Sequence, residues 1–196
     1  MISFLKGKLV HKEPAFVIVE VTGVGYQAMT SLNTYSEIKD REDIKLFTHL
    51  HVREDAHILY GFANEQERSM FLNLISVNGI GPSTAMMVLS SMAPGDLKNA
   101  ILREDSLTLQ GIKGIGGKTA QRLILELRDK VKKEVLETTT HSGASPYNTM
   151  QKEALTALMT LGISRAAAEK SIEAVLKKSG NTLSLEDLVK MALKNS

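Results

Sequence analysis

Two nine-residue segments in the middle of the chain combine paired glycines with hydroxyl or basic side chains. Residues 77–85 read Val-Asn-Gly-Ile-Gly-Pro-Ser-Thr-Ala, and residues 112–120 read Ile-Lys-Gly-Ile-Gly-Gly-Lys-Thr-Ala. The offset is 35 positions at both ends of the match, from residue 77 to 112 and from residue 85 to 120. A repeat at a constant offset indicates two copies of one supersecondary unit.

The paired glycines suit these segments to contact with an anion. A Gly-Ile-Gly turn permits positive φ and lacks the Cβ atoms that would keep another molecule at a distance. A helix that begins directly after the turn presents unpaired N–H groups and a partial positive charge, which together bind phosphate. The isoleucine can turn inward and anchor the hairpin. The sequence therefore predicts two hairpins that hold successive phosphates of a DNA strand without reading its bases.

The candidate DNA-binding residues lie in each turn and at the start of the helix that follows. They are Gly79, Ile80, Gly81, Ser83 and Thr84 in the first hairpin, and Gly114, Ile115, Gly116, Lys118, Thr119 and Arg122 in the second. Because Lys118 takes the place of Ser83, we expect the second hairpin to make the stronger salt-dependent contact. The alternative is that each Gly-Ile-Gly only makes a tight turn between helices.

Nucleotide hydrolysis and metal binding are disfavoured. Gly117-Lys118-Thr119 resembles the end of a phosphate-binding loop, but the glycine that this pattern requires at position 112 is an isoleucine. His49 and His51 share one face of a predicted strand, whereas His57 is predicted on the opposite face, which leaves too few ligands for zinc. We expect no metal, no cofactor and no catalytic residue.

The segment before the hairpins has the character of β structure. Residues 1–63 are rich in Val, Ile, Phe and Tyr, and turn residues interrupt them at short intervals. Five strands in so short a segment indicate a small barrel of the oligonucleotide/oligosaccharide-binding (OB) type, with an SH3-like barrel as the alternative. The predicted strands cover residues 2–10, 15–21, 24–31, 44–52 and 56–62.

After residue 63 the apolar residues recur at helical spacing. Residues 64–137 are predicted to form an all-α domain, with a helix after Asn64 and further helices at 82–91, 94–102, 106–110 and 118–133. Residues 138–148 are polar and rich in Ser, Thr, Gly and Pro, which favours a flexible linker. Residues 149–196 offer three short amphipathic helices. The predicted fold class is α+β with several domains.

Composition excludes some classes of protein. With no cysteine among 196 residues, disulfides and thiolate chemistry are excluded. A net charge of +2 suits DNA binding only if the positive charge is concentrated, or if backbone amides contact the phosphates. No apolar run reaches the roughly 18 residues of a membrane span, and the first residues lack a signal-peptide pattern. We expect a cytoplasmic protein that does not contact membranes.

The chain resembles the RuvA family of bacterial Holliday-junction-recognition proteins. The resemblance rests on Val-Thr-Gly-Val-Gly-Tyr at 21–26, Val-Arg-Glu-Asp-Ala at 52–56, Leu-Tyr-Gly-Phe at 59–62 and the second hairpin, and it covers essentially the whole chain. It implies an OB-like barrel that serves as DNA platform and tetramer contact, a tandem helix–hairpin–helix domain and a UBA-like C-terminal module. It also implies a homotetramer, or an octamer on DNA, that holds a four-way junction open for branch migration in recombination and DNA repair.

The resemblance implies partners and further site residues. It makes Glu54 and Asp55 an acidic pin at a hairpin tip, where carboxylates repel phosphate. It implies that the C-terminal module binds RuvB, the ATPase that drives branch migration, while the nuclease RuvC acts on the same junction. The apolar residues that match the RuvB-binding positions, which could equally be core, are Leu158, Leu161, Ile163 and Leu193.

The alternative is that the protein is an enzyme that binds DNA through the same hairpins, such as a repair glycosylase, a ligase or a nuclease subunit. Such an enzyme needs a nucleophilic lysine, a catalytic aspartate after the second hairpin, or a metal cluster. Asp129 is the only aspartate near that position, and it lies well along a helix flanked by lysines.

Overall fold

The computed structural model describes the backbone of residues 1–140, 146–179 and 183–194, and the side chains of residues 1–134, 150–177 and 183–194. The chain divides into two compact units, Met1–Lys133 and Glu134–Ser196. The predicted barrel segment and nearly all of the predicted hairpin segment therefore belong to one unit.

Residues 1–62, all of them described, contain a closed five-stranded barrel. Its strands are β1 (Phe4–Glu13), β2 (Phe16–Val21), β3 (Val24–Thr30), β4 (Asp43–Val52) and β5 (His57–Phe62). Around the barrel they follow the order β1-β2-β3-β5-β4, and every neighbouring pair is antiparallel except β3 and β5. Alternate residues such as Val17, Val19 and Leu46 are fully buried and fill the interior, which confirms the predicted barrel.

The barrel contains a short helix that the sequence did not predict. Helix α1 (Leu32–Ile38) follows β3 and begins at Ser31, whose hydroxyl accepts a hydrogen bond from the N–H of Thr34 at 3.0 Å. Seven residues are too few to display a helical period, so the serine cap was the only local signal. Strand β1 also runs beyond its predicted end, to Glu13, with its register shifting near Val10.

The helices of the first unit enclose a second core next to the barrel. They are α2 (Glu65–Ile75), α3 (Pro82–Ser91), α4 (Pro94–Leu102), α5 (Ser106–Gln110) and the start of α6 (Gly117–Thr140). The predicted bounds of α3, α4 and α5 are confirmed, whereas α6 is longer than predicted. Phe62 of the barrel and Phe71 of α2 are both fully buried with their ring centroids 5.0 Å apart, so this core is continuous with strand β5.

The second unit contains α7 (Pro146–Thr160), α8 (Arg165–Ser179) and α9 (Leu185–Lys194), in agreement with the three predicted helices. Their shared core includes Ile172, Val175 and Leu188. The helices extend into the predicted linker, since α6 covers residues 138–140 and α7 covers 146–148. Residues 141–145 of that linker lie outside the described residues.

Candidate nucleic-acid interface

The two Gly-Ile-Gly turns have the same backbone geometry. Gly79 has φ +92° and Gly114 has φ +90°, a region that glycine adopts at low cost. The N–H of Ile80 donates to the carbonyl three residues earlier at 3.1 Å, and the N–H of Ile115 does the same at 3.0 Å. Both isoleucine side chains are buried, as predicted for anchors. Each isoleucine side chain lies in the core and each isoleucine N–H is used within its turn, and their role as DNA contacts stays a prediction.

Helices α3 and α6 begin directly after these turns. The carbonyls of Gly81 and Gly116 each accept the N–H four residues later at 2.9 Å, so both glycines are helix caps. The N–H groups of the first helical turn have no partner within the helix. Pro82 removes one of these donors in α3, whereas Gly117 retains it in α6. Gly81 and Gly116 are exposed, and a Cβ on either would meet nothing within 4 Å.

The polar side chains of the repeat lie at these helix starts, as predicted. Ser83 and Lys118 occupy equivalent positions and are exposed, while Thr84 and Thr119 are half-buried. Within the described part of the chain, no ion pair or hydrogen bond engages the amine of Lys118. The second helix start therefore combines exposed amides with an unpaired lysine, whereas the first has a serine at the equivalent position.

The two hairpins contact each other reciprocally. On α3, the Cγ2 of Thr84 and the Sδ of Met87 lie 3.8 and 3.9 Å from the position that a Cβ on Gly114 would take. On α6, the Nη1 of Arg122 donates to the carbonyl of Asn78 at 3.1 Å. Position 122 follows position 87 by the repeat offset of 35, so equivalent residues of the two copies each lie at the turn of the other copy. The guanidinium of Arg122, which the sequence assigned to the second hairpin, therefore lies at the turn of the first.

Helix α1 of the barrel holds the end of α3. The side-chain amide of Asn33 donates to the carbonyls of Leu89 at 2.5 Å and Met92 at 3.1 Å. The N–H of Leu32 donates to the hydroxyl of Ser90 at 3.1 Å. The two Asn33 bonds satisfy carbonyls that a helix end leaves unpaired, and all three bonds fix α3 to the barrel. Sequence reasoning missed Asn33 because it did not predict α1.

The acidic residues lie where the sequence predicted a hairpin tip. Strands β4 and β5 end in the pair Val52 and His57, which confirms the predicted register. A backbone hydrogen bond of 2.8 Å closes the turn between them. Glu54 and Asp55 occupy this turn, and both are exposed. Two carboxylates therefore project from one end of the barrel.

His49 and His51 lie close together on strand β4. The rings of His49 and His51 lie 6.3 Å apart, and burial, with help from the charges of His51 and Arg68, lowers the pKa of His49. Among the described residues, no three His, Cys, Asp or Glu side chains are grouped closely enough to hold a metal ion. In the same part of the chain, no helix has the length and apolar character that a bilayer crossing requires.

The predicted partner-binding residues divide into two sets. Leu158 is fully buried in the core of the second unit, which agrees with the alternative that the sequence left open for it. Ile163 is half-buried against the same core. Leu161 and Leu193 are 63% and 40% exposed. Only these last two present substantial apolar area to a partner.

A closed barrel followed by two interlocked Gly-Ile-Gly hairpins defines a tandem helix–hairpin–helix protein with an N-terminal barrel. Family models match the chain as "RuvA N terminal domain" at residues 1–61, "SAM-like Helix-hairpin-helix tandem" at 71–129 and "RuvA, C-terminal domain" at 149–196. The chain belongs to the RuvA family.

Three relatives illustrate this membership, each named Holliday junction branch migration complex subunit RuvA. The chain is 53% identical to that of Cytophaga hutchinsonii over 199 residues, with 100% of both chains covered. It is 48% identical to that of Christiangramia forsetii over 194 residues, with 99% of each covered. It is 45% identical to that of Amoebophilus asiaticus over 195 residues, with 99% of this chain and 100% of the relative covered.

Proposed function

We propose that this protein is the junction-binding subunit of a branch migration complex and that it binds Holliday junction DNA through the sugar-phosphate backbone. The observation that carries the proposal is the pair of turns at Gly79 and Gly114, with equal φ and with exposed helix starts behind them. The names of the full-length relatives support the same substrate.

Phosphate binding follows from the geometry of the helix starts. The unpaired N–H groups of α3 and α6 donate to phosphate oxygens, and the helix dipole favours the negative charge. Because Gly81 and Gly116 have no Cβ, the DNA backbone approaches these amides closely. Lys118 adds a charge-assisted contact at the second hairpin. None of these donors distinguishes one base from another, so binding is independent of sequence.

The carboxylates of Glu54 and Asp55 form an acidic pin that discriminates junction from duplex. The protein acts as a homotetramer, or as an octamer on DNA, so that each subunit contacts one of four equivalent arms. Each carboxylate repels a phosphate 4 Å away by about 1 kcal/mol in water, and by more where water is excluded. Four pins together keep intact duplex from the centre and direct separated strands toward the hairpins.

The chain itself is not catalytic, and its C-terminal unit recruits the motor. The exposed Leu161 and Leu193 provide the apolar contact for the ATPase RuvB, while the nuclease RuvC acts on the same junction. The protein works in the cytoplasm, where these partners and the DNA are present.

The test compares a synthetic four-way junction with linear duplex of equal length in a gel-shift assay, with light scattering to measure the mass of the assembly. We expect tighter binding to the junction, a steep loss of affinity with salt and a tetrameric mass. Equal affinity for the two substrates would contradict junction recognition. Incubation with junction DNA and magnesium checks catalysis, since strand cleavage or base release would contradict a non-catalytic role.

A further inference from the structure

The guanidinium of Arg122 lies at the turn of the first hairpin, although Arg122 belongs to the helix of the second. Its Nη1 donates to the carbonyl of Asn78 at 3.1 Å. The same nitrogen is 3.9 Å from the position that a Cβ on Gly79 would take. In the described residues, the other guanidinium N–H groups have no hydrogen-bond partner. A positive charge with available donors therefore lies beside the first Gly-Ile-Gly turn.

The first hairpin lacks basic side chains of its own. Asn78 and Ser83 occupy the positions at which the second hairpin has Lys113 and Lys118. Each hairpin phosphate site benefits from a cation, because charge-assisted bonds to phosphate are stronger than neutral ones. We propose that Arg122 supplies the cation of the first hairpin's phosphate site, held in place by the carbonyl of Asn78. This inference rests on the proposed function.

Arginine is suited to this dual contact by its shape. A guanidinium carries five N–H donors in a rigid plane, so it can donate to a carbonyl with one nitrogen and to phosphate with the others. The bond to Asn78 already orients the group before DNA arrives, which lowers the entropy cost of binding. The first phosphate site is thus assembled from both copies of the repeat.

The repeat provides a variant of Arg122 that keeps the packing. Met87 is the equivalent residue in the other copy, and it packs beside Gly114. Arg122→Met therefore places a methionine beside the turn of the first hairpin, as Met87 already lies beside the turn of the second. We expect this variant to bind a synthetic four-way junction about tenfold more weakly, as the loss of one charge-assisted bond predicts. Thermal unfolding of the full-length variant verifies that it is folded. Unchanged affinity would overturn the proposal.

Two double variants restore the positive charge that Arg122→Met removes, each at a different hairpin. In the Arg122→Met background, Ser83→Lys restores a cation at the first hairpin, whereas Met87→Arg places one beside Gly114 at the second. Both double variants have the same net charge as the wild type. We expect Ser83→Lys to recover most of the affinity in a fluorescence anisotropy titration, and Met87→Arg to recover little.

If the two double variants recovered the same junction affinity, or if neither recovered any, Arg122 would not act at the first hairpin. Either result would overturn the inference. The proposed function is judged separately, from the preference of the wild type for junction over duplex. A wild type without that preference contradicts junction recognition. Equal recovery beside an intact preference contradicts only the placement of Arg122.

Discussion

The hydroxyl of Ser31, in the barrel, donates a hydrogen bond to the carboxylate of Glu67, in helix α2. Thr34 donates to the other oxygen of this carboxylate, which is only 1% exposed. Burial raises the pKa of Glu67 above its ordinary value of 4.5, the two hydroxyl bonds oppose the rise, and the charge of Glu37 adds to it. The link between barrel and hairpins therefore contains a carboxyl group whose protonation is coupled to folding.

The pH dependence of stability follows from this raised pKa. Because the folded state holds the proton more tightly than the unfolded state, the stabilisation from Glu67 is fully present below the unfolded pKa and is lost as pH rises through the folded pKa. We expect the unfolding free energy of the wild type, relative to Glu67→Gln, to fall as the pH rises from below to above the ordinary carboxyl pKa of 4.5. Urea denaturation of both proteins across this pH range measures the difference in unfolding free energy.

Glu65→Gln serves as the control, since Glu65 is an exposed neighbour on the same helix that pairs with Arg68 at 2.7 Å. If the stability of the wild type relative to Glu67→Gln increased with pH, the raised pKa of Glu67 would be contradicted.

The glycines of each turn have separable roles. Gly79 has φ +92°, so Gly79→Ala is expected to cost about 1–2 kcal/mol of stability. Gly81 has φ −86° and open space around it, so Gly81→Ala should change stability by less than about 1 kcal/mol. The new methyl group nevertheless lies where DNA must approach, and we expect junction binding to weaken about tenfold.

Thermal unfolding and junction titration of the two variants check this separation. Gly116→Ala repeats the test in the second hairpin, where a Cβ also meets nothing within 4 Å. If both open glycines accept alanine with unchanged affinity, the close approach of the DNA backbone to these amides is disproved.

The hairpin turns could be predicted because their signal is local and occurs twice. Positive φ, helix starts and buried isoleucines all follow from nine residues read in order. The contacts of Arg122 and Asn33 could not be predicted in the same way. Each joins segments 44 or more residues apart, so its target depends on how the helices pack. Leu158 illustrates the same limit, since apolar spacing on a short helix does not tell core from partner surface.

Lys118 is expected to contribute charge at the second helix start. Lys118→Ala should weaken binding to junction and duplex alike, and should reduce the slope of log affinity against log salt by about one unit for each subunit in contact with DNA. Lys39→Ala, which removes an exposed lysine of the barrel, is the matched control. A salt slope equal to that of the wild type would remove Lys118 from the phosphate site.

The proposed role of Glu54 and Asp55 as an acidic pin is tested by reversing their charge. Replacement of Glu54 and Asp55 by lysine should strengthen duplex binding and reduce the preference for the junction, because repulsion of phosphate becomes attraction. Glu42 and Asp43 form another exposed acidic pair of the barrel, at the opposite end of β4. Their reversal gives the same change in net charge. If both double variants gained similar affinity for duplex, the gain would come from the net charge and not from the position of Glu54 and Asp55 at the hairpin tip.

Substitutions at exposed and buried leucines of the C-terminal unit can distinguish a loss of partner binding from a loss of stability. Leu161→Asp and Leu193→Asp alter exposed side chains and should change stability by about 0.5 kcal/mol or less. They should weaken the proposed binding to RuvB about tenfold or more, since each would place a charge in the proposed apolar contact.

Leu158→Ala acts by a different mechanism, because it empties a fully buried position of the three-helix core and should cost about 2–5 kcal/mol of stability. Calorimetric titration with RuvB, beside thermal unfolding of each variant, distinguishes the two effects. Junction binding by the barrel and hairpin unit serves as the internal reference and should remain at the wild-type level in all three variants. Wild-type affinity for RuvB in both aspartate variants would contradict the proposed contact through Leu161 and Leu193.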